Sequence, residues 1–160
     1  MENNHFEVNL AKTLIKEAVI VDHEPFESKE QMFDFMVGKF VESGMVTDKQ
    51  KYLDALEYRE SLGSTYMGNF IGLPHGKSEA ILRPGVGFCR CEEPFNYQSC
   101  GEEGPVKYVF MLAIADKQTG EEYMRVLASL AGLLAHDEFI EKLDEVNSYD
   151  DLFKEIENFE

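Results

Sequence analysis

GNFIGLPHGK, residues 68–77, places one histidine between a proline and a glycine, directly after an apolar run that reads as a buried strand. Pro74 fixes its own φ and pushes Leu73 toward extended geometry, while Gly72 and Gly76 let the main chain come close to another group. The spacing predicts an imidazole at His75 that is aimed by its backbone and left accessible. A neutral imidazole, with an ordinary pKa of about 6.5, attacks an electrophile without first losing a proton to a separate base, which suits phosphoryl transfer. On spacing alone a second reading stays open, in which Pro74 and Gly76 make an ordinary turn and His75 bonds a carbonyl.

A phosphorylated imidazole carries roughly two negative charges, so stabilising groups are expected nearby. Arg59 lies 16 residues upstream, near a predicted helix end, and its planar fork can hold phosphoryl oxygens. A cation at a helix C-terminus is also favourable through the helix dipole alone. Ser64 and Thr65 offer hydroxyls, and Gly63 and Gly68 free the backbone to turn amides inward, although both hydroxyls fit turn positions equally well. His5, His23 and His136 sit in contexts typical of surface or capping residues.

Outward from this stretch, residues 28–43, SKEQMFDFMVGKFVES, open on Ser28 as N-cap with Gln31 three positions on. Met32, Phe33, Met36 and Phe40 follow at helical spacing up to Gly44. A second helix is expected from a Thr47–Gln50 capping box to about Arg59, with Leu53 and Leu56 on its buried stripe. Strands are expected over residues 66–73, 86–91 and 106–114, and a loose loop over 96–105, NYQSCGEEGP. Thr119 and Glu122 cap a helix running to Leu134, and DEFIEKLDEV and SYDDLFKEIENF supply two more, the last opened by Ser148. Residues 7–20 read as a short helix entering a strand. Helices before, between and after strands imply an α/β fold, a sheet covered by helices in one domain spanning residues 1–160.

At 160 residues the chain can bury a core without disulfide or metal support. Its longest apolar segments, residues 109–115 and 127–135, are far short of the roughly 20 residues of a membrane span. MENNHFEVNL lacks the features of a secretory leader, so a cytoplasmic protein is expected, with Cys89, Cys91 and Cys100 as reduced thiols. Cys89 and Cys91 share a strand face but lack a second Cys/His pair for zinc. With 31 acidic residues against 15 Lys plus Arg, the net charge of −16 argues against nucleic acid and for a basic protein partner.

RESLGSTYMGNFIGLPHGK, residues 59–77, resembles the signature of the fructose/mannitol-type IIA components (type 2) of the bacterial phosphoenolpyruvate-dependent sugar phosphotransferase system, and the surrounding pattern extends from Ser28 to Ile156. The resemblance implies a single-domain mixed β-sheet flanked by helices. It implies that His75 accepts a phosphoryl group from the phosphocarrier protein HPr and passes it to a cysteine of a IIB unit, the sugar being phosphorylated during transport by a membrane IIC component. By the same comparison Arg59 is the phosphate-stabilising cation, Ser64, Thr65 and Asn69 shape the pocket, and no metal, nucleotide or other cofactor takes part. The GSTYMGN wording leans to the fructose branch. A regulatory protein of the nitrogen-related IIA type, whose phosphorylation state switches binding to a target, is the alternative. One departure is that Tyr123 stands where relatives commonly carry a second histidine. A phenol can donate a hydrogen bond to a phosphoryl oxygen but does not become a cation near neutral pH; Tyr123 is a substitute in the phosphate pocket or a core aromatic.

Overall fold

The computed structural model describes residues 9–160. His5 and the first two positions of the helix expected from residue 7 lie outside them. Two consecutive long strands organise everything else: β5 (Gly85–Ser99) and β6 (Glu102–Ala115) form an antiparallel hairpin. β6 is the central strand because VFMLAIA is apolar on both faces, and the fold covers both. Val109, Met111, Ala113 and Ala115 point into a core built with Met32, Phe33, Met36, Phe40, Tyr52 and Leu56. Tyr108, Phe110, Leu112 and Ile114 point into a second core with Val126, Leu130, Phe139, Leu152 and Ile156. Side chains alternate across a strand, so one seven-residue run feeds two cores. Full burial of a Phe or Leu contributes about 1.5–3 kcal/mol.

The helices fall on the two sides accordingly. α2 (Lys29–Glu42) and α3 (Lys49–Leu62) cover one face. α1 (Leu10–Thr13), α4 (Gly120–Leu134), α5 (Asp137–Lys142) and α6 (Tyr149–Phe159) cover the other. Ser28, Thr119 and Ser148 cap α2, α4 and α6 as expected, each accepting a hydrogen bond from the backbone amide three residues on. β1 (Leu14–His23) lies parallel to β5 at one edge; β3 (Ile71–Gly72) and β4 (His75–Ser78) lie parallel to β6 on its other side, and β2 (Tyr66–Gly68) pairs with β3. The architecture is the helix-covered sheet expected from the order of elements, and its mixed pairing is the one the family resemblance implies.

Several boundaries differ from expectation, among them the helix expected over 137–146, which ends at Lys142. The N-cap of α3 is Asp48, whose carboxylate accepts from Lys51 N at 3.1 Å, while Thr47 turns away to bond the Ala80 carbonyl, so the Thr47–Gln50 capping box does not form. α3 runs on to Leu62, which places Arg59 within its last turn. The loop expected over 96–105 is instead the end of the β5–β6 hairpin, paired up to Ser99↔Glu102 and closed by Cys100 and Gly101 at φ 46° and 86°. Two successive positive φ angles make the turn whose twist matches that of the strands, and the surrounding Gly and Pro conceal it in the sequence. The segment 66–73 is likewise two short strands, joined at Asn69 and Phe70 with φ 52° and 67°.

α3 lies against β4. A Cβ on Gly76 would stand 3.2 Å from backbone atoms of Ala55 and Leu56, so the bare glycine permits the helix to pack this closely. The last turn of α3 is thereby brought over the start of β4.

Candidate functional site

His75 begins β4, paired with Leu112 of β6. Both residues before it are held: Leu73 N donates to Thr65 O at 2.9 Å, and Pro74 O accepts from Leu112 N at 3.0 Å. The ring is held at both nitrogens. Nδ1 lies 2.8 Å from Leu73 O, and Arg59 Nε donates to Nε2 at 3.1 Å. A carbonyl only accepts and a guanidinium only donates, so the neutral ring carries its proton on Nδ1 and its lone pair on Nε2. Arg59 is itself steadied by a 2.9 Å bond from Nη1 to Gly63 O, across the helix terminus.

The accessible imidazole expected from Pro-His-Gly is corrected here. His75 is 4 % exposed, because its strand is paired to β6 and its ring is covered by Arg59 from the end of α3 and Tyr123 of α4, rather than standing in a free turn. Its Nε2 nonetheless meets a half-buried guanidinium and not hydrocarbon. Tyr123, half-buried on α4, sets its ring edge-on to the imidazole, with centroids 6.1 Å apart and planes at 77°. Burial raises the Tyr123 phenol above its ordinary pKa against the opposing pull of Arg59, so it stays neutral through the physiological range. Tyr52 is fully buried, and its hydroxyl donates to Leu112 O at 3.0 Å, directly behind the histidine's strand partner.

Of the remaining sequence-selected residues, none bonds the ring. Ser64 Oγ accepts from Tyr66 N at 3.1 Å, a turn role. Asn69 is exposed at the tip of the β2–β3 turn, where asparagine tolerates a left-handed backbone. The Thr65 side chain faces a buried polar cluster that sequence reading did not foresee. Glu60 Oε1 accepts from Lys29 Nζ at 2.8 Å and from Ser99 Oγ at 2.6 Å, while Oε2 accepts from Thr65 Oγ1 at 2.5 Å. With the Thr65 proton so committed, the Tyr97 hydroxyl 2.6 Å away is the donor to Thr65 Oγ1. Ser99 Oγ also accepts from Thr65 N at 2.8 Å. Gly72 makes room for Tyr97, since a Cβ there would stand 2.8 Å from its ring. The signals available in sequence were the Arg59-Glu60 pair and a lysine in the first turn of α2, where the helix dipole disfavours a cation.

Burial is the main cause that holds the His75 pKa below its ordinary value; the Leu73 carbonyl pulls it up, Arg59 pushes it down and Glu60 pulls it up. Below about pH 6.5 the unfolded chain binds a proton that the folded ring resists. The stability this contributes is complete above the unfolded pKa and is lost as pH falls toward the folded one. Urea titrations from pH 7.5 to 5 are expected to show a steeper loss of stability for the native chain than for His75→Gln; parallel curves would refute the depressed pKa.

Fold and site together define an α/β protein with a tautomer-fixed imidazole held against a guanidinium. Residues 13–159 match the family described as the phosphoenolpyruvate-dependent sugar phosphotransferase system, EIIA 2, and the chain belongs to that family. It is 34% identical over 125 residues to the fructose-specific EIIA component of Haloferax volcanii, covering 78% of this chain and 80% of that one. Among solved structures it resembles the nitrogen regulatory protein IIA-Ntr of Neisseria meningitidis, with a TM-score of 0.79, 25% identity, and 91% and 97% of the two chains covered. The mannitol IIA in its complex with phosphorylated mannitol IIB from Escherichia coli matches at a TM-score of 0.70 and 25% identity, over 89% and 95%. No helix among the described residues is long and apolar enough to cross a membrane.

Proposed function

We propose that this protein carries a phosphoryl group on His75 Nε2, taking it from phosphorylated HPr and giving it to a cysteine of a IIB unit. In the first step the Nε2 lone pair forms a bond to phosphorus as the phosphorus–nitrogen bond of the HPr phosphohistidine breaks, and the HPr imidazole leaves with that electron pair. The proton on His75 Nδ1 stays in place against Leu73 O. In the second step a IIB thiolate forms the new bond to phosphorus, and the pair returns to Nε2. The observation that carries this reading is the pairing of a lone pair on Nε2 with the Arg59 guanidinium 3.1 Å away. Arg59 must leave Nε2 to admit phosphorus, and its fork then holds the phosphoryl oxygens, with the Tyr123 hydroxyl as a neutral donor beside it.

The fructose-specific relative favours a fructose-like sugar, phosphorylated during transport by a membrane IIC component. The mannitol complex, with its phosphorylated IIB, favours a IIB acceptor. The working compartment is the cytoplasm, where HPr resides. Likeness to the nitrogen regulatory protein supports a second reading, in which phosphate on His75 switches binding to a target protein.

Incubation with phosphoenolpyruvate, the general phosphotransferase enzyme and HPr, followed by intact mass, is expected to add one acid-labile phosphate to the native chain and none to His75→Ala. Phosphate retained on the variant places the acceptor elsewhere. Subsequent loss of the label to a IIB domain supports the sugar carrier; a target bound differently with and without phosphate supports the regulator.

A further inference from the structure

We infer that Glu60 is a positioning residue for His75, holding Thr65 and through it the Leu73 carbonyl that fixes the imidazole proton on Nδ1. The inference rests on the reading of His75 as phosphoryl acceptor and adds the group that presets its free nitrogen. Thr65 is gripped at three points: its hydroxyl donates to Glu60 at 2.5 Å, its amide donates to Ser99 Oγ at 2.8 Å, and its carbonyl accepts from Leu73 N at 2.9 Å. Ser99 Oγ in turn donates to Glu60 at 2.6 Å, so two of the three grips converge on one carboxylate. Leu73, held at its amide by Thr65, presents its carbonyl to His75 Nδ1 at 2.8 Å.

Arg59 and Glu60 are consecutive, and they reach the two ring nitrogens by different routes. Arg59 bonds Nε2 directly; Glu60 acts on Nδ1 through Thr65 and Leu73. One turn of α3 therefore sets both the orientation and the tautomer of the ring. Stability alone does not account for such a cluster, because a buried ion pair typically gains little or nothing over apolar residues of the same volume. Among the described residues the hydrogen bonds of the cluster end on one another and on the backbone, not on the imidazole, so it holds the backbone without engaging Nε2, the atom an incoming phosphoryl group needs.

The test uses the full chain with ¹⁵N-labelled histidine. Long-range proton–nitrogen NMR reads the tautomer and the exchange of the Nδ1 proton with water, and transfer from phosphorylated HPr is timed on the same samples. Native protein is expected to show the Nδ1–H form with a protected proton. In Glu60→Gln and Thr65→Val, proton exchange is expected to rise about tenfold or more, the Nε2–H form to become detectable, and transfer to slow roughly ten- to a hundredfold, the scale of a misplaced reacting group. Thr65→Ser, which keeps the hydroxyl, is expected to restore native values. Native tautomer and exchange in Thr65→Val overturn the inference even if that chain is less stable, since a purely structural role lowers stability without moving the proton. If Glu60→Gln fails to fold, Ser99→Ala takes its place beside Thr65→Val under the same criterion. A native chain that takes no phosphate overturns the phosphoryl-acceptor reading instead, and the NMR comparison still decides the relay.

Discussion

Lys29→Met is expected to lower the free energy of unfolding by about 3–5 kcal/mol, the range for breaking one side of a buried ion pair. Lys29 and Glu60 are 7 % and 5 % exposed, and their 2.8 Å contact joins the first turn of α2 to the last turn of α3. Without the ammonium, the carboxylate keeps only its bonds from Ser99 and Thr65, and a buried anion with two hydroxyl donors lacks the countercharge that makes its desolvation tolerable. Lys29 Nζ also lies 5.7 Å from the Phe33 ring centroid and 5.9 Å from that of Tyr97, contacts that the methionine replaces with dispersion alone. The double variant Lys29→Met/Glu60→Gln is expected to recover most of the loss, because no charge is left unpaired. Urea denaturation measures both; a single-variant loss below about 1 kcal/mol, in the range of a surface pair, would show that the ion pair is solvated.

Arg59→Ala is expected to slow phosphoryl transfer from HPr by roughly a hundred- to a thousandfold while the chain remains folded, the scale for deleting one preorganised donor to developing charge. The residue is half-buried and its two hydrogen bonds go to His75 and to Gly63 O, so its removal opens no core cavity. It also deletes a positive charge that depresses the His75 pKa, so the imidazole of the variant titrates at higher pH than the native one. Arg59→Lys keeps the charge but not the planar fork and is expected to recover only part of the rate. Rapid-quench transfer with labelled HPr checks this, and a rate within threefold of native would remove Arg59 from the transfer step.

Much of the framework was legible because its causes are local. Ser28, Thr119 and Ser148 each cap a helix from within three residues, and the apolar run VFMLAIA reads as a strand, which the fold buries on both faces. The hairpin at Cys100 and Gly101 was not legible, because the Gly and Pro that mark a loop also populate a tight turn and a paired strand such as the one containing Pro105. The α3 cap falls one residue beyond the expected Thr47, since Thr47 and Asp48 are both competent caps and only the position of the Ala80 carbonyl draws Thr47 away.

For the site, the amino-acid sequence by itself determined the chemical types and their backbone setting: an imidazole after Pro74, a guanidinium on a helix 16 residues earlier, and a glycine thin enough for the two elements to meet. The tertiary structure decided that the ring is buried, that Nε2 rather than Nδ1 holds the free lone pair, and that Thr65 serves Glu60 instead of the ring. These outcomes depend on pairs such as Lys29 with Glu60 and Thr65 with Ser99, 31 and 34 residues apart. Helical and strand periodicities encode which face a residue occupies over a few turns; which distant side chain meets it there is set only when the sheet and its two helical layers close.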